Sequence, residues 1–244
     1  ITVPAGQKKV NEYLFYLEQR YNFHIKFYII EKARFESAFE TRNISVATYF
    51  RFLIPELMKE TKKVIYLDTD TITNKDLLDL FKTDMKGLFF RGVKNSFNLS
   101  DIWAKESKRT YWSRLEKCYG KYINAGVLLM NLDLIREYRI DKEWMLLMDN
   151  EFCYQDQDII NMTCSDKIGF IPPKYNCIAY WNDNFLLAFE KEKVFTSEEM
   201  KEVITNPVII HFAGKKPWHS FLSGTLFSAA EWWKYVVDDG SLVD

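Results

Sequence analysis

Two aspartates separated by one residue follow an apolar run in KVIYLDTDTITNKDLLDLF, residues 63–81. The run Val64 to Leu67 predicts a short strand, and Asp68 and Asp70 stand at its end. In extended backbone, side chains two residues apart point to the same face, so both carboxylates are directed at one point. Two converging anions favour a divalent cation bound through carboxylate oxygens, with positions left for phosphate and water. The alternative is an ordinary acidic turn at the surface.

A histidine ends a second apolar run, PVIIHFAGKKPWH, over residues 207–219. In an α/β domain, ligands bind outside the carboxyl ends of the strands, which would bring His211 towards the two aspartates. Two carboxylates and a neutral imidazole suit Mn²⁺ or a similar ion. Gly214 lets backbone N–H groups approach an anion, and Lys215 and Lys216 supply positive charge. Together these residues describe a diphosphate site, and a purely structural histidine is the alternative.

Arg51 lies within an apolar stretch with helical spacing, SVATYFRFLIPELM, over residues 45–58. Its guanidinium either faces an anionic ligand or extends to the surface while its stem packs in the core. Asn124, Ala125 and Gly126 stand directly before another apolar run. The lack of side-chain bulk at the last two lets a ligand approach the backbone closely, or else marks a tight bend.

A polar cluster opens a short predicted helix in the segment YQDQDIINMTC. Acidic residues suit the first turn of any helix because they complement its dipole, which is the structural alternative to a role in binding. The cluster consists of Gln155, Asp156, Gln157 and Asp158.

The composition is that of a densely packed globular domain. The 244 residues are 48% hydrophobic and 16% aromatic, which allows one substantial core and argues against disorder. A net charge of -1 offers no electrostatic footprint for nucleic acid. No run reaches the roughly 18 apolar residues of a membrane-spanning helix, so neither a membrane span nor a signal peptide is expected from these residues. The 4 cysteines lack metal-site spacing and are expected to be reduced thiols of a cytoplasmic protein.

Apolar strands alternate with helical patterns, which predicts a single α/β domain with a largely parallel sheet. Helices are expected over 7–21, after Asn74, over 133–149, from residue 155 onward and after the capping-box pattern Thr196–Glu199. Strands are expected over 24–30, 64–67 and 87–93, after Gly126, and within 167–176 and 207–219. Residues 94–121 are expected to form an insertion or lid, and about 220–244 a C-terminal helix.

Several motifs, in this order, resemble those of the family 8 glycosyltransferases, which include bacterial lipopolysaccharide galactosyl- and glucosyltransferases and glycogenin. They extend from about residue 43 to residue 219 and are SVATYFRFLIPEL, KVIYLDTDTIT, YINAGVLLMNLD, YQDQDIIN, FIPPKYN and HFAGKKPWH. The resemblance implies a GT-A type α/β fold, with a Rossmann-like, mostly parallel mixed sheet flanked by helices. It further implies a UDP-sugar donor, usually UDP-glucose or UDP-galactose, and retention of the anomeric configuration. The implied cofactor is Mn²⁺, with Mg²⁺ as the alternative.

The resemblance also implies roles for individual residues. Asp68, Asp70 and His211 would bind the metal, Thr69 would meet the ribose through its backbone, and Gly214 and Lys216 would hold the diphosphate. The donor sugar would be surrounded by Arg51, Asn124, Ala125, Asp156 and Gln157, with Gly126 of the same motif as a further substrate-binding residue. The catalytic candidates are Gln157, Asp156 and Asp158.

Retention by double displacement needs a nucleophile, usually a carboxylate, on the face opposite the leaving group. The family pattern places Gln157 closest to the anomeric carbon, and an amide is a poor nucleophile. Asp158 carries a carboxylate but, as the next residue on a helix, should point elsewhere. Same-face attack, in which the departing phosphate oxygen takes the acceptor's proton, is therefore the favoured hypothesis.

Two features depart from the family's pattern. The opening strand with an Ala-(Asp/Ser)-Asp-x-Asn-Tyr-like motif, which grips uracil and ribose, has no counterpart, so an N-terminally incomplete domain and nucleotide pocket are expected. HFAGKKPW is one residue shorter than the usual His-x-x-Gly-x-x-Lys-Pro-Trp. The reach of Lys216 to the diphosphate can therefore differ, with Lys215 as its substitute.

Two alternatives belong to other functional classes. LDTDTIT fits the first motif of the haloacid-dehalogenase phosphohydrolases, with Asp68 as nucleophile and Asp70 as general acid, and YVVDD imitates their late acidic pair. That interpretation leaves NAGVLLMN, QDQD and HFAG unexplained. A non-catalytic sugar-nucleotide-binding remnant is the other alternative, motivated by the unmatched first strand.

The acceptor is expected to be a saccharide or lipid-linked saccharide, in cell-surface polysaccharide or lipopolysaccharide synthesis. Trp103, Trp112 and Trp218 offer rings for stacking on sugars, although packing in the core is the alternative for each. The expected location is the cytoplasm, with a peripheral position at the inner face of the membrane for a lipid-linked acceptor. The sequence does not indicate an oligomeric state.

Overall fold

The computed structural model describes residues 7–41, 45–95, 113, 115–179, 194–214, 216–218 and 230–235. Its helices are α1 (Gln7–Tyr21), α2 (Ile54–Leu57), α3 (Leu78–Lys82), α4 (Leu132–Glu137), α5 (Ile140–Leu147), α6 (Gln155–Cys164) and α7 (Ser197–Thr205). Its strands are β1 (Lys63–Leu67), β2 (Thr71–Thr73), β3 (Phe90–Lys94), β4 (Ile123–Asn131), β5 (Ile168–Phe170), β6 (Cys177–Ile178) and β7 (Ile209–His211). A 3₁₀ segment, Val46–Leu53, leads into α2, and residues 230–235 are helical.

Strand β4 lies inside a four-stranded sheet with the order β1-β4-β3-β5. Its run INAGVLLMN is almost wholly buried, as expected of a strand that is covered on both faces. Leu128 and Met130 pack into one core cluster, whereas Val127 packs into another. Since alternate residues of a strand point to opposite faces, β4 separates two layers of core. Strand β1 lies antiparallel to it and pairs Leu67 with Val127.

A second sheet, with the order β2-β7-β6, begins at the turn that follows β1. Strand β2 is antiparallel to β7 and pairs Thr71 with His211. Strand β6 is parallel to β7 and pairs Ile178 with His211. This register brings His211 next to the acidic pair, because β2 begins directly after Asp70.

Aromatic packing holds the 3₁₀ segment and α5 against the central sheet. Trp144 of α5 is fully buried, with its ring centroid 5.2 Å from that of Phe52 and 5.6 Å from that of Phe90. Burying a Phe side chain contributes roughly 1.5–3 kcal/mol. This packing anchors the segment that carries Arg51.

The α/β class with helices flanking the sheets is confirmed, but the strand pairing is less parallel than the sequence predicts. Among the described strands, β3–β5 and β6–β7 are parallel, whereas β1–β4, β3–β4 and β2–β7 are antiparallel. An apolar run buried on both faces has the same pattern in either direction, so strand direction is decided by the connections between the strands.

Two predicted elements differ in the structure. The strand predicted over 24–30 is wrong, since none of these residues joins a sheet, and Phe27 and Ile29 are 50% and 81% exposed. The helix predicted over 133–149 is divided into α4 and α5. Arg139 lies between them in the left-handed region, with φ +55°, which ends one helix before the next begins.

The helix predicted after Asn74 begins four residues later, at Leu78. Asp76 accepts a hydrogen bond from the Leu78 N–H at 2.6 Å, and Asn74 does not cap the helix. Local competition among neighbouring polar residues therefore decided where α3 starts, which the apolar pattern alone does not reveal.

Other local predictions are confirmed. α1 covers 7–21, α6 begins at Gln155, and Thr196 forms the expected capping box with Glu199 at the start of α7. All 4 cysteines are thiols, and burial raises the pKa of Cys118, Cys164 and Cys177 to about 12.

Most of the predicted insertion (94–121) and of the predicted C-terminal helix (220–244) lies outside the described residues. The organisation as a single domain stays a prediction. In the part of the chain that the structure describes, no helix is long and apolar enough to cross a membrane.

Candidate functional site

Backbone hydrogen bonds hold the acidic pair at the junction of the two sheets. The Asp68 N–H donates to the Gly126 carbonyl on β4, and the Asp70 carbonyl accepts from the Phe212 N–H after β7, both at 2.8 Å. The Thr71 hydroxyl closes the turn by donating to the Asp68 carbonyl at 2.9 Å. The positions of both carboxylates therefore depend on strands from three distant parts of the chain.

His211, the last residue of β7, faces both carboxylates. Its Nε2 lies 3.4 Å from Asp70 Oδ1 and 3.7 Å from Asp68 Oδ2. Ligand atoms of all three residues lie within 4.8 Å of one another. Small divalent ions bind such oxygens and nitrogens at about 2.0–2.2 Å, so these separations suit one shared ion. The structure thus brings the three predicted metal ligands together.

The second oxygen of Asp68 is occupied by protein donors. Arg51 Nη2 donates to Asp68 Oδ1 at 2.8 Å, and the Tyr66 hydroxyl donates to the same atom at 2.7 Å. The guanidinium also lies over the Tyr66 ring, 4.4 Å from its centroid. Since Oδ1 is engaged in this way, Oδ2 is the oxygen that Asp68 directs towards His211.

Arg51 links the acidic pair to α6. It is 5% exposed, and its Nε lies 2.9 Å from Asp156 Oδ2 and 3.0 Å from the Thr48 carbonyl. Nη1 donates to the Ala125 carbonyl at 2.5 Å. Burial opposes the charge of Arg51, but Asp156 and Asp68 hold its pKa above the usual range. The alternative of an arginine that extends to the surface is therefore wrong, whereas contact with a donor sugar stays a prediction.

Asp156 is buried at 4% exposure and accepts a hydrogen bond from the Thr48 hydroxyl. Burial raises the pKa of Asp156 to about 6, although the charge of Arg51 and the bond from Thr48 act in the opposite direction. The carboxylate is thus a buried partner of Arg51 next to the acidic pair.

Gln157 is turned towards β4. Its Oε1 accepts from the Ala125 N–H at 2.9 Å and from Asn124 Nδ2 at 3.1 Å. Its Nε2 donates to the Tyr122 hydroxyl at 3.0 Å. Because Oε1 already accepts two bonds, Gln157 in this arrangement orders the Asn124–Ala125 segment of β4.

Asp158 is fully buried, and the structure does not present it to the site. Its Oδ1 accepts from the Tyr122 hydroxyl at 2.5 Å, and its Oδ2 accepts from the Tyr154 N–H at 2.8 Å. Both oxygens are bonded to protein donors, as expected of a side chain that points away from the site, and a catalytic role for Asp158 stays a prediction. The side chain supports the hydroxyl that in turn holds Gln157.

Lys216 lies beside the acidic pair. It forms an ion pair with Asp70 Oδ2 and donates to the Phe212 carbonyl at 2.8 Å. Burial acts to raise the pKa of Asp70, but the neighbouring His211 and Lys216 outweigh it and hold that pKa well below its usual range. Asp70 is therefore ionised in this cluster.

The remaining candidates for nucleotide contacts lie at the surface of the same junction. Thr69 is exposed in the turn between Asp68 and Asp70. Gly214 is exposed and has φ +90°, a conformation that favours glycine. Lys215 lies outside the described residues, and its proposed substitution for Lys216 stays a prediction.

The imidazole of His211 lies against Gly126, where we expected a ligand to approach the backbone. A Cβ atom at this position would lie 2.1 Å from Cε1 and 2.6 Å from Nδ1 of His211. The imidazole therefore fills the space that we expected to admit a ligand. The absence of a side chain at Gly126 gives room to a predicted metal ligand, and a substrate contact at Gly126 stays a prediction.

Of the three tryptophans considered for the acceptor, Trp103 and Trp112 lie outside the described residues. Trp218 is 42% exposed, with its ring centroid 4.6 Å from that of Trp232 and 6.5 Å from that of Phe212. An exposed aromatic face thus lies two residues beyond Lys216.

The pattern of glycosyl transferase family 8 matches residues 5–221. The chain belongs to glycosyltransferase family 8. The resemblance of its motifs is thereby confirmed, and this membership replaces the interpretation of LDTDTIT as a haloacid-dehalogenase motif.

Two relatives illustrate the similarity of this family 8 chain to other members. A putative glycosyltransferase of Haemophilus influenzae is 34% identical over 180 residues, which cover 72% of this chain and 50% of the relative. A lipopolysaccharide 1,3-galactosyltransferase of Salmonella typhimurium is 29% identical over 84% of this chain and 59% of its own length. The chain therefore spans about half of these relatives' lengths.

The crystal structure of the galactosyltransferase LgtC, solved with donor and acceptor sugar analogues, has a related fold. It superimposes with a TM-score of 0.65 at 23% identity, and the match covers 86% of this chain and 73% of LgtC. The family 8 chain thus has the GT-A type fold that its motifs imply.

Three residues of the site were not recognised from the sequence. Tyr66 and Thr48 support Asp68 and Asp156, and Asn176 contacts His211. Tyr66 stands two residues before Asp68 on the same strand, so the period of two places both on one face. Asn176 is the last residue of the motif FIPPKYN, but its proximity to His211 depends on the pairing of β6 with β7.

Proposed function

We propose that this family 8 chain is a retaining hexosyltransferase, which moves glucose or galactose from a UDP-sugar to a saccharide acceptor. A divalent cation, Mn²⁺ with Mg²⁺ as the alternative, would be held by Asp68, Asp70 and His211. The observation that carries this proposal is the convergence of these three side chains at one junction of a family 8 fold.

The chemistry of the donor atoms supports a Mn²⁺-type ion. Asp68 offers Oδ2, Asp70 offers Oδ1, and His211 offers Nε2, so the set combines two hard oxygens with one imidazole nitrogen. A bound divalent cation would neutralise the charge that develops on the departing diphosphate, an effect often worth several kcal/mol.

The residues around this group suit the parts of a sugar nucleotide. Lys216 and the Gly214 backbone lie on the Asp70 side, where they would contact the diphosphate. The backbone of Thr69 would meet the ribose. On the Asp68 side, Arg51 contacts Asp156 and the Ala125 carbonyl. These two residues, with Asn124 and Gln157, are the ones assigned to the donor sugar.

The surroundings of the catalytic candidates support same-face attack. Double displacement needs a free carboxylate against the anomeric carbon. Both oxygens of Asp158 accept bonds from protein donors, and Asp156 is held by Arg51 and Thr48. We therefore propose that the departing phosphate oxygen takes the acceptor's proton. A covalent sugar trapped on Asp158 of the unaltered enzyme would overturn this mechanism.

The names of the relatives support a cell-surface acceptor. The Salmonella relative is a lipopolysaccharide galactosyltransferase. By analogy, we assign to this chain a saccharide or lipid-linked saccharide of cell-surface polysaccharide, handled in the cytoplasm or at the inner face of the membrane. The Trp218 ring is exposed, its centroid lies 6.0 Å from Lys216 Nζ, and it could stack on such an acceptor.

A donor screen tests the proposed function. UDP release from UDP-glucose, UDP-galactose and UDP-N-acetylglucosamine is measured with Mn²⁺, with Mg²⁺ and with EDTA. Mn²⁺-dependent release with one hexose donor, lost in Asp70→Ala and retained in Asp79→Ala, is the expected result. Asp79 is a matched control because it is an exposed aspartate on α3. Binding of UDP in calorimetry, without UDP release from any donor, would instead favour the non-catalytic remnant.

A further inference from the structure

The two ring nitrogens of His211 face different partners. Nε2 faces the acidic pair, whereas Nδ1 lies 3.0 Å from Oδ1 of Asn176, the residue that precedes β6. His211 is 3% exposed and Asn176 is fully buried. Both side chains are therefore shielded from solvent. At its Nδ1 end, the ring faces the amide of Asn176.

A chain of hydrogen bonds determines which atom of Asn176 points at His211. The Gly126 N–H can only donate, and it donates to Asn124 Oδ1 at 2.9 Å. The same oxygen accepts a hydrogen bond from Asn176 Nδ2 at 2.7 Å. The amide of Asn176 therefore has its nitrogen towards Asn124 and its oxygen towards His211, an orientation that follows from the network.

A second backbone N–H group independently determines the orientation of the Asn124 amide. Asn124 Nδ2 donates to Gln157 Oε1, and this oxygen also accepts from the Ala125 N–H at 2.9 Å. Two backbone N–H groups of β4 thus determine both ends of the Asn124 amide. Through it they determine that Asn176 presents an acceptor to His211.

An acceptor at Nδ1 requires that this nitrogen carry the proton. In the neutral imidazole the lone pair then lies on Nε2, the atom that faces Asp68 and Asp70. The position of the ring is restricted as well, because a Cβ at residue 126 would lie 2.1 Å from its Cε1. Gly126 and Asn176 thus constrain the place and the tautomer of one side chain.

We propose that Asn176 is a positioning residue, which holds His211 in the Nδ1–H tautomer so that Nε2 can bind the divalent cation. This role rests on the cation site proposed above. Histidines that bind metals commonly donate their other N–H to an oxygen, and loss of such a partner typically weakens metal affinity 10–100-fold. Here the oxygen belongs to an amide that is itself oriented by the strand carrying Asn124.

The first test observes the tautomer without any metal. The chain has 3 histidines, so ¹⁵N-histidine NMR of the EDTA-treated protein gives few signals, which single His→Gln variants assign. Under alkaline conditions, the neutral ring of His211 is expected to show protonated Nδ1 and unprotonated Nε2. In Asn176→Ala the two tautomers are expected to mix. A wild-type protein with the proton on Nε2 would overturn the proposal.

The second test measures metal affinity, with Mn²⁺ alone as the probe and its EPR signal as the readout. Asn176→Ala is expected to bind Mn²⁺ about 10–100-fold more weakly. Asn176→Asp keeps an acceptor for Nδ1–H, so it should retain the tautomer and most of the affinity. Asn150→Ala is the matched control, because the amide of Asn150 bonds with Leu147 and Asp149.

The outcomes separate this role from the proposed function. Wild-type affinity and wild-type ring signals in Asn176→Ala would overturn the positioning role while leaving the cation site intact. A wild-type protein that shows the Nδ1–H tautomer but binds no Mn²⁺ would overturn the cation site, and with it this role. If Asn176→Ala fails to fold, the wild-type tautomer and the affinity of Asn176→Asp decide the question.

Discussion

Two pairs of aspartates in this chain have the same spacing and opposite surroundings. Asp68 and Asp70 keep 25% and 17% of their side chains exposed and converge on His211. Asp156 and Asp158 are 4% and 0% exposed, and they bind different protein groups. Both pairs contain one intervening residue, so the spacing alone does not distinguish a candidate ligand set from a buried support.

The backbone explains the difference. The first pair lies in the turn between β1 and β2, where backbone hydrogen bonds to Gly126 and Phe212 hold both carboxylates towards His211. The second pair lies in the first turn of α6, where two residues turn the side chain by about 200°. Asp156 therefore reaches Arg51, whereas Asp158 reaches the Tyr122 hydroxyl on another side of the helix. One pair can share a cation, and the other cannot.

The largest expected effect follows replacement of the strand pair. Asp68→Asn and Asp70→Asn keep the shape of each side chain but remove a charge from the proposed cation site. Loss of several kcal/mol of stabilisation corresponds to a fall in kcat/KM of about 10³-fold. Steady-state UDP release with excess Mn²⁺ measures it, and the exposed Asp79→Asn is the control. Retention of activity within tenfold would remove the distinction between the two pairs.

A smaller loss of activity is expected from replacement of Arg51, which contacts one aspartate of each pair. Arg51→Lys keeps the charge but loses the planar fork that contacts Asp68, Asp156 and the Ala125 carbonyl at once. The value of kcat/KM should fall about 10–100-fold, as for partners that orient ligands. Arg34→Lys is the control, since Arg34 pairs with Glu56 at the surface. Unchanged kinetics would show that the two pairs work independently.

Replacement in the helix pair should affect stability more than turnover. Asp158→Asn leaves either the Tyr122 hydroxyl or the Tyr154 N–H without an acceptor, which lowers the free energy of unfolding by about 1–3 kcal/mol. Where the protein remains folded, kcat should fall less than tenfold. Urea unfolding and kcat are measured beside Asp166→Asn, whose side chain is 93% exposed. A large loss of kcat at unchanged stability would instead make Asp158 catalytic.

The smallest effect on stability is expected at the start of α7, a helix with an acidic first turn that carries none of the predicted site residues. Thr196 and Glu199 cap α7 reciprocally. Thr196→Ala should lower the free energy of unfolding by about 1 kcal/mol and leave kcat unchanged. Glu199→Gln preserves the capping box and should be nearly neutral. Helix α7 thus shows how much acidic residues in a first turn contribute to stability where no binding site is proposed. A change in kcat in either variant would show that α7 is not a valid comparison for α6.

The sequence by itself determined the local features of this protein. The spacing of Asp68 and Asp70 after an apolar run predicted that their carboxylates converge, although the structure achieves this with a turn and not with extended backbone. The cap residues located α7, and the amphipathic pattern located α1. The order of its motifs was sufficient for the family and the GT-A type fold. These features depend on residues close together in the chain, where backbone geometry follows from residue type.

Only the tertiary structure decided which distant residues meet. The β2–β7 register placed His211 beside Asp70, and the β6–β7 pairing placed Asn176 against the imidazole. The left-handed Arg139 divided a predicted helix, and residues 24–30 found no sheet partner despite their strand-like pattern. Apolar runs show that a segment is buried but do not select its partner or direction, because burial stabilises every well-packed pairing alike.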